Sequence, residues 1–297
     1  MYRAAVTAGS EDSTCQWGTM DTETTLLSVS SETLIVPVFG NPVSETDYPV
    51  LLSDRAAQFG HNTLFIPVDV DPDGLRKVLE GFRHLRNWAG LVITEPHDAA
   101  VLEYVDHISE SAGFVGSANI VRVEADGAWV ADVTDGKALV RELWRSGVIV
   151  KERAIHIFGC GRAGAAVAHA VAQAGAAEVS VSDCRVEKAE TLVSKLSNQR
   201  LPTTFRVGTD NIRAADIVIN TSSTGTQGRD GVNLLSRHQV FVEMDGESEP
   251  LKAECSTKCA ANSTIRTINS QVDAILDFLG MLPITYDVSL VTRQIWF

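Results

Sequence analysis

From Leu34 onward, short apolar runs alternate with stretches whose apolar residues fall three and four apart, and polar turns separate them. Leu34-Ile35-Val36-Pro37-Val38-Phe39 reads as a strand closing on Gly40-Asn41-Pro42, with a helix expected over 49–59 and a second strand over 62–68. Asp73 stands where an N-cap belongs, ahead of Leu75, Val78, Leu79 and Phe82 at helical spacing. A third strand over 90–94 breaks at Glu95-Pro96, and a helix is expected over about 99–108. Residues 117–123 and 128–133 form a hairpin-like pair turning at Asp126-Gly127. Asp135 then opens a helix running to about 146. Further on, strands are expected over 154–158, 179–182, 204–207, 217–220 and 240–244, with helices between the early ones. A closing helix over 269–279 carries Val272, Ile275, Leu276 and Leu279 on one side. Such alternation predicts an α/β protein with a mostly parallel sheet covered on both faces. Residues 1–33, rich in Ser, Thr, Asp and Glu, read as a flexible extension with one short strand near Leu26-Leu27.

The centre of the pattern is Ile155 to Asp183. An apolar strand turns through Gly159-Cys160-Gly161-Arg162-Ala163-Gly164 into an Ala-rich helix that stops at Gly175, and the next strand ends on Asp183. This is a βαβ opening with the dinucleotide fingerprint in its expected context. Gly159 permits the tight turn, Gly161 lets backbone N–H groups of Arg162 and Ala163 approach a diphosphate, and Gly164 packs the helix close to the strand. The competing reading is a packing turn without nucleotide. Asp183, 19 residues after Gly164, favours the nucleotide.

Composition narrows the partners. A length of 297 residues suggests about two domains, and 44% hydrophobic content can fill two cores. A net charge of −13 without a basic stripe argues against nucleic acid. Cys15, Cys160, Cys184, Cys255 and Cys259 are odd in number and scattered, and Cys255-x3-Cys259 lacks a second ligand pair, so no metal site is expected and a reduced cytoplasmic chain is. No signal-type core or run of 18 apolar residues occurs, so no membrane partner is expected.

Several stretches together resemble the shikimate dehydrogenase family over about residues 34–280. Gly40-Asn41-Pro42-Val43 resembles its G-N-P-[IV], and Gly90-x-x-Ile93-Thr94-x-Pro96 its G-x-N-V-T-x-P-x-K. Gly116-Ser117-Ala118-Asn119 is similar to G-A-x-N, and Thr134-Asp135-Gly136 to N-T-D-G. Asn220-Thr221-Ser222-Ser223-Thr224-Gly225 is similar to N-A-T-P-x-G, and Gln271 falls at the glutamine of M-L-x-x-Q-A. The resemblance implies a substrate-binding α/β domain over 34–134 and 263–297, and a Rossmann-type dinucleotide domain over 135–262. It implies hydride exchange between nicotinamide and a secondary alcohol or ketone on a polyhydroxylated ring acid such as shikimate or quinate. Thr94, Asn119, Asp135 and Gln271 would contact that acid, Thr46 and Tyr48 stand at the two carboxylate-holding serines, and Asn220, Ser222 and Gly225 would lie near the nicotinamide.

The departures concern the proton. Asp98 stands at the position of the family's catalytic lysine, Val92 at its asparagine and Val133 at the asparagine before Thr134. Two aspartates, Asp98 and Asp135, would then face each other as the catalytic pair, and repulsion between them would leave one holding a proton near neutrality. Without the lysine, the site also lacks the cation that stabilises a developing alkoxide. His97 titrates in a useful range, but adjacent residues point different ways. A more acidic pocket would also suit an amino-substituted ring, and a silent nucleotide-binding homologue is the alternative of another class.

Each site residue has a plainer role. Asp135 would suit a helix N-cap, Asp98 a solvated loop, Asn119 a turn, Gln271 a surface, Tyr48 core packing, and Cys160 a small filler. For the coenzyme, Asp183 points to NAD, since an acid ending the second strand bonds ribose hydroxyls and repels a 2′-phosphate. NADP stays open through Arg185, and a homodimer is compatible with everything above.

Overall fold

The structure, a computed structural model, describes residues 29–222, 236, 238–244 and 264–282. The expected strand near Leu26-Leu27 lies outside them.

Two six-stranded sheets organise the chain. The first begins with β1 (Leu34–Gly40), α1 (Tyr48–Gln58), β2 (Thr63–Asp69), α2 (Leu75–Phe82) and β3 (Gly90–Ile93). It continues with β4 (His107–Ile108), α3 (Glu110–Val115), β5 (Ile120–Val123) and β6 (Trp129–Asp132). Their order is β2-β1-β3-β5-β6-β4, parallel between β2, β1 and β3 and antiparallel from β3 through β5 to β6. The β5–β6 pair is the hairpin expected from Asp126-Gly127, where Gly127 takes the positive φ of 88° that the turn demands.

α4 (Asp135–Arg145) leads into the second sheet, made by β7 (Ala154–Phe158), α5 (Arg162–Gln173), β8 (Glu178–Ser182), α6 (Val186–Ser197) and β9 (Thr204–Val207). β10 (Ile217–Asn220), β11 (Val240–Glu243) and β12 (Thr264–Arg266) complete it. The order β12-β11-β10-β7-β8-β9 is parallel throughout. Ile155, Ile157, Val179, Val181, Ile217 and Ile219 are buried in one core, which explains why these strands read as unbroken apolar runs. His156 is the exception. It is fully buried, with Nδ1 at 2.8 Å from Ser180 Oγ and Nε2 at 3.1 Å from Ser182 Oγ on the neighbouring strand.

The last described helix, α7 (Ile268–Phe278), returns to the first sheet. Val272, Ile275, Leu276 and Leu279 pack with Val36 and Ile120 beneath α1. Asp273, its side chain 1% exposed, accepts from Arg55 of α1 at 2.9 Å and from Arg145 of α4 at 3.0 Å. One carboxylate thus ties three helices together, and α7 cannot slide without uncovering it.

Two local expectations are corrected. Residues 99–108 are not one helix: a 3-10 turn covers Ala100–Tyr104, and His107–Ile108 pairs with β6. Asp106 forces the change, because its N–H donates to Trp129 O at 3.0 Å and its carboxylate accepts Trp129 N–H at 2.8 Å, locking extended backbone onto the sheet. Ser109 then caps a short helix that the periodicity concealed, accepting from Ala112 N–H at 3.1 Å. Near α2 the capping side chain is Asp71, which accepts from Asp73 N–H at 3.2 Å, rather than Asp73 itself.

The two halves meet where α4 crosses α5. A Cβ on Gly136 would come within 2.3 Å of Ala166 O and 2.7 Å of Ala170 Cβ, so only glycine allows this approach. Gly136→Ala is therefore expected to destabilise the protein by about 1–3 kcal/mol, the usual range for overpacking. Urea unfolding measures it, and a variant as stable as the parent would refute the tight crossing. A second outcome concerns acid. Burial pushes the His156 imidazole down from 6.5 to about 4, so its stabilising effect is complete above 6.5 and is lost as pH falls toward 4. Between neutrality and about pH 4.5 the parent should lose about 2 kcal/mol more stability than His156→Gln. Equal losses in the two proteins would show that His156 does not resist protonation.

Candidate functional site

In a parallel sheet, ligands settle beyond the carboxyl ends of the strands where the strand order reverses. Here that point lies between β7 and β10, neighbours from which the chain runs to opposite sides. β7 ends in the glycine turn and β10 in Asn220, which sits opposite Phe158. Gly159 has φ 93°, and a Cβ there would meet Thr221 Oγ1 at 2.8 Å. A Cβ on Gly164 would lie 2.0 Å from Gly159 O, so the helix starts against its own turn. Around Gly161 there is nothing within 4 Å of such a carbon. Gly161 also offers no side-chain cap to α5, which leaves the first-turn N–H groups of Arg162, Ala163 and Gly164 without side-chain partners at the edge of that space. A dinucleotide's diphosphate fits this combination of open space, free donors and helix dipole.

Asp183 holds the turn in shape. Its carboxylate accepts Cys160 N–H at 2.8 Å and Arg185 N–H at 3.0 Å. Burial by itself would raise its pKa, but these two N–H groups win and hold it below the usual carboxylate range. The Arg185 side chain is exposed, with no partner among the described residues. Cys160 has its thiol pushed up to about 12 by burial and by Asp183, so it is not a thiolate nucleophile near neutrality.

From the other sheet, the ends of β1 and β3 bring Gly40 and Thr94 together. Thr94 Oγ1 donates to Phe39 O at 2.8 Å, and a Cβ on Gly40 would fall 2.6 Å from that hydroxyl. Asn119, just before β5, is 6% exposed and makes a clamp. Its Oδ1 accepts Thr134 N–H at 3.0 Å, while its Nδ2 donates to Asp135 Oδ1 at 2.9 Å. The first turn of α4 is thereby fixed to the first sheet. Asp135 is 4% exposed and makes no cap of its own, so a capping role does not explain it.

The second oxygen of Asp135 accepts from Arg162 Nη1. Arg162 Nε lies 3.2 Å from Asp98 Oδ2, an ion-pair contact in which the N–H is not aligned for a hydrogen bond. Asp98 is 15% exposed at its side chain and is no solvated loop acid. The two aspartates therefore do not face each other bare: a guanidinium from the glycine turn touches both. Asp135 first, and Asp98 after it, raise the Arg162 pKa against the opposing effect of burial, so Arg162 is a permanent cation. The side chain of Arg162 is thus engaged by carboxylates, while its backbone N–H stays at the open side of the turn.

Across this cluster, Tyr48 Oη donates to Gln271 Oε1 at 3.4 Å, joining α1 to α7, and Thr46 Oγ1 accepts Tyr48 N–H at 3.3 Å. Tyr48 also acts on Arg162 electrostatically. His97 is turned into the first lobe, Nε2 at 2.8 Å from Val70 O. Asn220 is buried, its Oδ1 accepting from Ser222 N–H at 3.2 Å and Ser222 Oγ at 2.7 Å. Glu243 supports it from β11, accepting from Asn220 Nδ2 at 3.3 Å, a partner that no local motif signals. Gly225 lies outside the described residues.

Comparison with known proteins agrees with this geometry. Residues 38–121 match the family described as the shikimate dehydrogenase substrate binding domain. The shikimate dehydrogenase (NADP(+)) of Moorella thermoacetica is 31% identical over 206 residues, 67% of this chain and 69% of that protein. Shikimate 5-dehydrogenase from Listeria monocytogenes, solved with shikimate and NAD, shares the fold at a TM-score of 0.75, 19% identity and coverage of 89% of this chain and 98% of that one. Quinate dehydrogenase from Corynebacterium glutamicum in complex with NAD does so at 0.71 and 24%, covering 89% and 98%. With two α/β lobes, a dinucleotide turn at the switch point and relatives of this similarity, the chain belongs to the shikimate dehydrogenase family of NAD(P)-dependent oxidoreductases.

Proposed function

We propose that this protein uses NAD to interconvert a secondary alcohol and a ketone on a polyhydroxylated ring acid of the shikimate or quinate kind, with Asp98 in place of the family's lysine. The observation carrying this reading is the Asn119–Asp135 bond at 2.9 Å, which ties a buried carboxylate at the start of α4 to the first sheet beside the glycine turn of the coenzyme lobe. A nicotinamide coenzyme, when bound, supplies the hydride acceptor or donor. The protein's part is to place the ring and move its hydroxyl proton.

In this reading Thr46 and Tyr48 hold the ring carboxylate. Thr94, Asn119 and Gln271 hold its hydroxyls. Asp135 receives the hydroxyl proton on oxidation and returns it on reduction. Asp98 completes the polar wall opposite it. Free N–H groups at the start of α5 bind the diphosphate, Asn220 and Ser222 line the nicotinamide end, and Asp183 receives the adenosine ribose hydroxyls while repelling a 2′-phosphate. The acidic pocket that would suit an amino-substituted ring loses its main support, because Arg162 contributes a positive charge between the two aspartates.

Steady-state assays with NAD and a panel including shikimate and quinate test the reading. Asp135→Asn should lower kcat by roughly 10²–10⁴-fold, the usual contribution of a positioned acid–base group, while NADH still binds. Turnover of the variant at the parent's rate would remove Asp135 from the chemistry. For the coenzyme, the parent should prefer NAD to NADP in kcat/KM, and Asp183→Ser should shrink that preference by about tenfold, the effect of losing roughly one unit-charge repulsion. A parent that prefers NADP would overturn the assignment.

A further inference from the structure

The glycine turn contains one large side chain, and that chain leaves the diphosphate site. Arg162 is the first residue of α5, yet its guanidinium crosses to the substrate lobe and is only 27% exposed. Nη1 is bonded to Asp135 and Nε is held near Asp98. In the planar fork the remaining nitrogen, Nη2, shares one edge with Nε and the end with Nη1. It is bonded to neither carboxylate, and among the described residues it has no hydrogen-bond partner. Tyr48, whose hydroxyl reaches Gln271, is close enough to act on the same charge.

We propose that Arg162 is the cation of the reaction, with Nη2 donating to the substrate oxygen whose carbon exchanges the hydride. It rests on the ring-alcohol reading above and adds the partner that reading lacked. A cation is needed because the oxygen becomes alkoxide-like as its proton leaves, and a preorganised donor there strengthens as the charge grows. On oxidation the O–H proton passes to the Asp135 carboxylate and the hydride to oxidised nicotinamide. The C–O bond becomes C=O, and no bond to Arg162 forms or breaks. Because Arg162 stays charged throughout, it stabilises without titrating, and the proton remains with the carboxylate beside it. The charge has changed position relative to a lysine at 98: the cation reaches in from the glycine turn at the start of α5 rather than from the segment after β3.

The test compares the parent with Arg162→Gln, Arg162→Lys and the double change Arg162→Gln with Asp98→Lys. Each is assayed for kcat, for KM of shikimate and quinate, for NADH affinity by fluorescence, and for calorimetric binding of shikimate to the NADH complex. The expected result is a fall in kcat of roughly 10²–10³-fold for Arg162→Gln, as for other removed donors to a developing oxyanion, with NADH affinity within about threefold. Arg162→Lys should retain more rate than Arg162→Gln, and the double variant should recover at least about tenfold, since it restores a cation from the other side. A kcat within about threefold of the parent in Arg162→Gln overturns the proposal, as does a loss expressed entirely in NADH affinity. If the parent itself turns over no ring acid, the ring-alcohol reading fails alone provided shikimate still binds and Arg162→Gln weakens that binding tenfold or more. Unchanged or absent shikimate binding in that case overturns both.

Discussion

Two carboxylates withdrawn from water within reach of one guanidinium set the terms for the rest of this molecule. Asp135 is almost wholly buried and the side chain of Asp98 is 15% exposed, and carboxylates taken that far from water call for compensation. Arg162 supplies part of it and Asn119 another part through a neutral donor. The arrangement also constrains the fold. Asp135 starts α4, Arg162 starts α5, and Asp98 follows β3, so the contact can form only if both lobes are built and docked. Close packing of α4 on α5 at Gly136 brings the two helix starts together, and the ion contacts then fix their angle.

The same logic recurs on the far side of α4. Asp273 sits in the core of the α1–α4–α7 junction with an arginine from each neighbouring helix, and Arg141 meets Asp277 at 2.9 Å. Those arginines are about a third exposed in two cases, so much of their charge is still solvated, and the contacts govern geometry more than net stability. What they hold is α7, and with it Gln271, opposite Tyr48 at the rim of the cleft. Apolar contact from Val272, Ile275 and Leu276 supplies the adhesion.

The second sheet was readable in the sequence because its inner strands β7, β8 and β10 are largely buried and its helices are amphipathic, so period and boundaries coincide at residues such as Gly159 and Gly175. Asn119, Asp135 and Gln271 could be singled out only through resemblance to a family, yet the structure draws Asn119 and Asp135 into direct contact across 16 residues. What stayed hidden depended on long-range partners. Asp106 turned an apparent helix into an edge strand by bonding Trp129. From local sequence Asp98 confronts Asp135, because nothing there shows where the side chain of Arg162 will go. An arginine in a phosphate-binding turn is ordinarily assigned to phosphate, and only the tertiary fold reveals that two acids claim it first.

Why the cation should be arginine follows from those two acids. A lysine ammonium is a compact charge that can titrate when desolvated, and in a dry site it can itself carry the proton. Arginine stays protonated here, its pKa raised chiefly by Asp135 in spite of burial. Its planar fork can meet carboxylates on two edges and still present a nitrogen between them, which a single ammonium on a flexible stem does with far less orientation. In the proposed mechanism, exchanging lysine for that fork would separate two duties: charge stabilisation would go to a group that cannot release a proton, and proton transfer to a carboxylate that can accept one. A site divided in this way needs its acid and its cation side by side, and Arg162 at the start of α5 is bonded to Asp135 at the start of α4.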